Sequence, residues 1–190
     1  MSTLDELTAM MPPSSRDGGP PVPWEELEAS WGVPFPSDYR AFIATYGAGA
    51  IEDYLVILEP EPWEAQRIGD GMSPETKNAR KGWDVESTKA FSVVSPPVLI
   101  AWGVDASADI LCWDASGAVP EEWPVLVWKR GSHEWRRHEC GMVEFLRRTL
   151  QGELDSNPLG DAALWQKQRA KFLSTEEEDR LLDEGIDPWE

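Results

Sequence analysis

The sequence lacks several features that would place it in a common class of protein. Within its 190 residues there is no run of about 18 apolar residues to span a bilayer, and the N-terminus lacks the basic-then-apolar order of a signal peptide. We therefore expect a cytoplasmic protein with no membrane partner. The two cysteines, Cys112 and Cys140, have no paired spacing, so the sequence indicates neither a disulfide framework nor a zinc ribbon.

Basic residues are scarce relative to acidic ones. The chain has 17 Lys and Arg against 35 Asp and Glu, for a formal net charge of −18. A nucleic-acid binder needs a basic face to displace counterions, so this charge argues against nucleic acid and favours a basic protein partner. The alternative is an acidic surface that serves only solubility. With 41% hydrophobic residues and 11 Trp, the chain is too apolar to be a wholly disordered acidic segment.

The pattern along the chain divides it into three parts. Residues 1–22 predict a short helix after a Ser2 cap and a Pro/Gly-rich linker, which we expect to be extended and mobile over 12–22. Residues 23–152 carry the core-forming periodicity of one domain. Residues 153–190 hold 11 acidic and 4 basic residues, and we expect an acidic helical tail there, with helices over about 157–172 and after Ser174.

Within the central part, the apolar period changes from helical to strand-like. Spacings of three and four residues predict helices over 24–31 and 37–46, the second capped by Ser37. Residues 51–58 predict one strand, and 73–81 a helix in a polar segment. Four short apolar runs then predict the strands of an antiparallel meander, the last of them at the sheet edge: 98–102, 110–113, 125–128 and 134–138. A helix is predicted after them, from Met142 to Leu150.

No constellation of catalytic residues is present in the sequence. There is no nucleophile elbow, phosphate-binding loop or dinucleotide fingerprint. His133, His138 and Cys140 are the one cluster of possible metal ligands, and without a second pair elsewhere they make a poor tetrahedral site. We predict no metal, no cofactor and no enzymatic activity. The carboxylate pairs Asp105/Asp109 and Glu121/Glu122 do not by themselves indicate acid–base catalysis, because turns and surfaces of so acidic a chain are expected to contain such pairs.

Nine of the eleven tryptophans fall into two groups. Five occupy positions that the periodicity assigns to the interior: Trp24, Trp31, Trp102, Trp113 and Trp128. Four others fall in predicted loops or tails, where exposed Trp would suit partner contacts: Trp63, Trp83, Trp123 and Trp189.

Several motifs resemble those of the SUKH superfamily, whose eukaryotic namesake is a fungal cell-wall assembly regulator. They lie within about residues 20–152: 24–28 (WEELE), 31–40 (WGVPFPSDYR), 46–49 (YGAG), 101–103 (AWG), 109–113 (DILCW), 122–125 (EWPV) and 144–146 (EFL). The resemblance implies an α+β fold with a mixed, mainly antiparallel sheet flanked by helices. It implies no catalytic residues. Where related sequences usually carry Asp-Asn-Gly-Asp, residues 105–109 read DASAD, which predicts a different hairpin loop.

The resemblance also implies a binding function, since bacterial members are commonly immunity proteins that neutralise polymorphic toxins. We therefore expect a protein-binding module that covers the basic active-site cleft of a toxin. A regulatory or scaffold protein of the cell-wall assembly regulator type is the alternative, and a Trp-lined carbohydrate-active protein is a third. The oligomeric state stays open. The expected contact residues are Glu59, Glu61, Trp63, Glu64, Asp105, Asp109, Glu121, Glu122 and Trp123.

Overall fold

The computed structural model describes residues 2–14, 18–63, 71–85 and 87–190. These residues form six helices: α1 (Thr3–Met10), α2 (Trp24–Trp31), α3 (Ser37–Tyr46), α4 (Met72–Asp84), α5 (Met142–Gln151) and α6 (Thr175–Asp183). They also form eight strands: β1 (Gly49–Ile51), β2 (Leu55–Ile57), β3 (Thr88–Lys89), β4 (Leu99–Asp105), β5 (Ile110–Asp114), β6 (Val125–Lys129), β7 (Glu134–His138) and β8 (Phe172–Ser174). Short 3₁₀ turns lie at Pro120–Glu122 and Arg130–Ser132.

The strands join in one mixed sheet in the order β3-β7-β6-β5-β4-β2-β1-β8. All neighbouring pairs are antiparallel except β3 and β7. The α+β fold, with its mainly antiparallel sheet, flanking helices and C-terminal helix, is confirmed, and so is the meander from β4 to β7. The edge position predicted for β7 is wrong by one strand, because the two-residue β3 pairs with its outer side.

Helices cover both faces of the sheet. Ile110 and Trp113 are three residues apart on β5, so their side chains point to opposite faces. Trp113 packs edge-on against Tyr39 of α3, with ring centroids 4.9 Å apart. On the other face, Ile110 pairs across the strands with Trp128, and the Trp128 ring lies against Gly82 of α4. Helices α1, α3 and α5 contact one another in the first layer, and α4 forms the second.

Most helix ends follow the local sequence signals. Helices α2 and α5 end at Gly32 and Gly152, whose φ angles of 73° and 72° are left-handed and cost glycine little. Ser37, predicted as a cap, is instead the first residue of α3, after Pro36. Helix α4 is longer than predicted, so Trp83 lies on a helix rather than in a loop.

The N-terminal segment packs on the first helical layer. Helix α1 begins with a capping box in which the Ser2 hydroxyl accepts from the Asp5 N–H and the Asp5 carboxylate accepts from the Ser2 N–H. Leu7 and Met11 are fully buried, and the Tyr46 hydroxyl donates to the Met11 carbonyl at 2.6 Å. Residues 15–17 of the linker lie outside the described residues, and its mobility stays a prediction.

The single strand predicted over 51–58 is wrong, because the segment folds into the β1–β2 hairpin. Glu52 and Asp53 have φ angles of 56° and 52°, and the Tyr54 N–H donates to the Ile51 carbonyl at 3.0 Å. The strands pair up to Ile51 and Leu55, which leaves a three-residue loop whose first two residues are left-handed, a conformation that usually requires Asn or Gly. The Glu52 carboxylate compensates by accepting the Lys171 N–H from the tail at 2.6 Å.

The helix predicted over 157–172 is also wrong. Pro158 and Gly160 interrupt it, and the side chains of Asn157 and Asp161 accept hydrogen bonds from backbone N–H groups two residues later, which favours turns. The segment ends in β8, which pairs with β1 and adds Phe172 to the core. The helix predicted after Ser174 is confirmed as α6, capped by that hydroxyl.

Side chains of α4 complete the unpaired edge of β4. Strand β2 pairs only with the Gly103–Asp105 end of β4, so the backbone groups at the Leu99 end of β4 need different partners. The Ala101 N–H donates to the Thr76 hydroxyl at 2.8 Å, and the Arg80 guanidinium donates to the Leu99 carbonyl at 3.1 Å. These bonds fix α4 on the second face of the sheet.

Replacing Thr76→Val should therefore lower the free energy of unfolding by about 1–3 kcal/mol, because it leaves the buried Ala101 N–H without an acceptor. Urea denaturation measures this. Thr45→Val is the matched control: its hydroxyl only donates to the Ala41 carbonyl of its own helix, and we expect a change within about 0.5 kcal/mol. Equal effects of the two substitutions would contradict the role assigned to Thr76.

Candidate functional site

Four of the nine predicted contact residues have buried side chains. They are exposed by 5% or less: Glu61, Asp105, Asp109 and Trp123. Each is held by hydrogen bonds inside the protein. As folded, they present no side chain to a partner, and we leave them out of the contact surface.

Glu61 stabilises the start of α4. Its Oε1 atom accepts a hydrogen bond from the Ser73 N–H at 3.0 Å. A carboxylate at this position is favoured by the unpaired N–H groups and the dipole of a helix N-terminus. Gly71 makes room for it, since a Cβ there would lie 2.3 Å from Glu61 Oε1.

Asp105 organises the β4–β5 turn, in which Ala108 adopts a φ of 60°. Its Oδ1 atom accepts from the Ser107 and Asp109 N–H groups at 2.8 and 3.0 Å. Its Oδ2 atom accepts from the Tyr54 hydroxyl at 2.9 Å. The carboxylate thus stabilises a loop that has no Asn-Gly pair.

Asp109 connects this turn to the next one. Its Oδ1 atom accepts from the Arg130 N–H at 2.9 Å, which fixes the start of the β6–β7 connection. Burial, and then the negative charge of Asp105, raise the pKa of Asp109 to about 6. The close packing of Gly160, where a Cβ would lie 3.0 Å from Asp109 Oδ2, contributes to that burial.

An NMR titration of the Asp109 carboxyl carbon should therefore give a midpoint near pH 6. Because this folded-state pKa exceeds the ordinary value of 3.8, the folded protein holds the proton more tightly than the unfolded chain does. The contribution of Asp109 to stability is thus largest below pH 3.8 and is lost as pH rises through about 6. Exposed Glu121, whose pKa is lowered, is the internal reference. A midpoint for Asp109 near 4 would contradict its burial.

The two tryptophans among the predicted contact residues differ in exposure. Trp123 is buried, and its indole N–H donates to the Gly117 carbonyl at 2.7 Å within the β5–β6 connection. Trp63 is half-buried beside Trp31, with ring centroids 4.9 Å apart. The Arg80 guanidinium lies 4.7 Å from the Trp63 ring centre.

Three predicted acidic residues are exposed near the start of α3: Glu59, Glu121 and Glu122. The pKa of Glu121 is lowered by hydrogen bonds from its own backbone N–H and from the Ser37 hydroxyl and N–H. Glu59 lies close enough to Tyr39 that, after burial, its charge is the second cause of the raised pKa of that hydroxyl. We call these three residues the α3 acidic surface. The ninth predicted residue, Glu64, lies outside the described residues.

The His and Cys cluster separates in the fold. His133 precedes β7 and is exposed, whereas His138 is the last residue of β7 and packs edge-on against Phe145, with ring centroids 5.1 Å apart. Burial, followed by the charge of Arg136, lowers the pKa of His138 to about 4. Within the described ranges, no three His, Cys, Asp or Glu side chains form a group that could hold a metal ion.

Basic side chains are largely engaged inside the protein. Arg147 pairs with Glu144 at 2.8 Å, with Glu153 at 2.9 Å and with Glu6 at 3.6 Å, which joins α5 to the tail and to α1. Others donate to backbone carbonyls, as Lys129 does to Leu159 at 3.0 Å. Among the described residues, three basic side chains have neither kind of partner and no aromatic contact: Lys81, Arg130 and Arg169.

A cleft of about 780 Å³ opens between α4 and the sheet, and we call it the α4 cleft. Its floor is a row of cross-strand partners: Val56, Val104, Ile110 and Trp128. Its rim carries charged and polar side chains: Asp53, Glu75, Lys81, Arg130 and His133. The sequence did not reveal this site, because the floor depends on the strand register that follows from the unpredicted hairpin turn.

The family model described as SMI1-KNR4 cell-wall, of the SUKH group, matches residues 23–145. The chain belongs to this SUKH family. At the family level this supports a protein-interaction or immunity-type module of a generally non-enzymatic kind. The searches of curated proteins and of solved structures give no significant match.

The SUKH match extends from the residue before α2 into α5, and so includes the α3 acidic surface and the α4 cleft. Helix α1 and the tail lie outside it, although they bury Leu7, Leu159 and Phe172 in the same core. None of the helices in the described residues is long and apolar enough to cross a bilayer.

Proposed function

We propose that this SUKH protein is an immunity-type binding module that neutralises a polymorphic toxin by covering its basic active-site cleft. The observation that carries the proposal is the distribution of charge. Most described basic side chains are held by carboxylates, carbonyls or aromatic rings within the fold, while acidic side chains such as Glu25, Glu26 and Glu122 remain exposed without a partner. Among the described residues, the unpaired charge at the surface is therefore mainly negative.

The α3 acidic surface is the proposed centre of contact. Exposed Glu121 and Glu122 lie on one 3₁₀ turn, which contacts α3 and is tied to it through Ser37. Carboxylates on a turn that is tied to α3 can occupy a cleft that binds phosphates, because carboxylates and phosphates are both negatively charged. Such complementarity mainly raises the association rate and selects the partner.

A regulatory or scaffold protein is the second candidate. The family description, which refers to cell-wall proteins, favours it. This protein would then bind a housekeeping partner rather than a toxin, and expression of that partner alone would not be toxic.

Co-expression tests the immunity proposal. A toxin domain encoded beside this gene should bind the protein and lose its toxicity when the protein is present. The double substitution Glu121→Lys/Glu122→Lys should lower the association rate by about tenfold at low salt, because it reverses two charges at the proposed contact. The wild-type rate should fall as ionic strength rises.

The matched control is Asp179→Lys/Asp183→Lys, which makes the same charge change at two exposed, unpartnered residues of α6. It should leave rescue intact and change the rate less. If only the α6 variant abolished rescue, the contact would lie on the tail. If adjacent toxins neither bound nor lost toxicity, the immunity function would be wrong.

A further inference from the structure

The α4 cleft is the second place where this protein can accept a partner. On its floor, Val56 of β2 is 40% exposed although β2 is paired on both sides, with β1 and β4. Next to it are Val104 and Ile110, and Trp128 closes the row against Gly82 of α4. An apolar surface of this kind at the bottom of a cleft favours burial of an apolar side chain from outside.

The rim of the α4 cleft has opposite charges at its two ends. Asp53, in the β1–β2 turn, and Glu75, on the N-terminal half of α4, line the end near β2 and β4. Lys81, on the C-terminal half of α4, and Arg130 and His133, after β6, line the other end. The floor runs between these two ends from β2 to β6.

The basic end is exceptional in so acidic a protein. Of the three basic side chains without a partner in the described ranges, Lys81 and Arg130 both line this cleft. The Arg130 backbone is fixed by its hydrogen bond to buried Asp109, so the side chain starts from a rigid point. A pair of uncompensated cations beside an apolar floor is suited to bind a carboxylate that comes with an apolar group.

We propose that the α4 cleft binds one segment of a protein partner in which an apolar side chain is flanked by a basic residue and an acidic residue. The basic residue faces Asp53 and Glu75, the apolar side chain covers Val56, and the acidic residue faces Lys81 and Arg130. This segment fits better than a purely basic or purely acidic one, because either would meet like charge at one end. The surface is separate from the α3 acidic surface.

The strand spacing sets the length of the segment. Three strand-to-strand steps of about 4.8 Å separate β2 from β6, so the two charged ends are roughly 14 Å apart. An extended chain advances about 3.3 Å per residue, which places the basic and acidic residues four or five positions apart.

The proposal can be tested on the full-length protein by selection from a phage-displayed library of random peptides. Peptides of about 12 residues are long enough to cross the cleft, because an extended chain advances about 3.3 Å per residue. We expect enrichment of an apolar residue between a basic and an acidic one at this spacing. Lys81→Glu/Arg130→Glu should weaken binding of the selected peptides by about tenfold, and changing their acidic residue to Lys should restore binding to that variant. Restored binding also shows that the variant is folded.

Arg169→Glu is the matched control, since Arg169 is exposed and unpartnered like the other two but does not line the cleft. It should leave peptide binding unchanged. Glu121→Lys/Glu122→Lys should also leave peptide binding unchanged, although it slows binding of the toxin, so the two proposals can fail independently. Peptides that bind all variants equally, or that carry no acidic residue, would overturn the proposal. A dimer of this protein that Val56→Asp dissociates would overturn it too, because a second copy would then fill the cleft.

Discussion

The close approach of α4 to the sheet at Gly82 is the constraint on which the second layer of the molecule depends. A Cβ at Gly82 would lie 3.1 Å from the Trp128 ring, so even alanine there would require the ring or the helix to shift by a few tenths of an ångström. Glycine in a helix interior costs about 1 kcal/mol relative to alanine, and the contact with Trp128 offsets that cost. The Trp135 indole, which donates to the Gly82 carbonyl at 3.4 Å, strengthens the same contact. With α4 held there, Thr76 and Arg80 reach the free end of β4, and the α4 cleft remains open beside them.

The surface of this SUKH protein is mainly negative, but the α4 cleft has a positive end. With twice as many acidic as basic residues, the chain uses most described basic side chains to join segments, as Arg147 does between α1, α5 and the tail. Each ion pair is neutral, so acidic residues without a partner, such as Glu25 and Glu26, leave the surface negative. Lys81 and Arg130 are exceptions, and both border the one apolar floor that we assign to a partner. The proposed toxin contact and the proposed segment-binding cleft thus have different electrostatics.

The sequence predicted the regular parts of the fold well, because long apolar repeats leave one arrangement that buries them. The meander and α2, α3 and α5 follow from such repeats. The β1–β2 hairpin was missed because Glu52 and Asp53 adopt left-handed conformations that glycine or asparagine would have signalled. Strand β8 was missed because Phe172 reads equally well as the end of a helix until its partner strand is known.

The candidate site was harder to predict for a physical reason. A carboxylate in a loop reads as exposed, yet Glu61, Asp105 and Asp109 are buried because each accepts backbone N–H groups that the fold leaves unpaired. Local sequence does not show which loops contain such unpaired donors. Glu59, Glu121 and Glu122 are exposed, as their positions in predicted loops indicated. Only the tertiary structure shows that they lie near the start of α3.

Hydrogen–deuterium exchange on the complex with the toxin domain encoded beside this gene tests the central claim most directly. We predict that binding slows amide exchange around Glu121, Glu122 and the first turn of α3, and that this protection weakens as salt is added. Protection confined to α6, or no change near Glu121 in a complex that still neutralises the toxin, would contradict it.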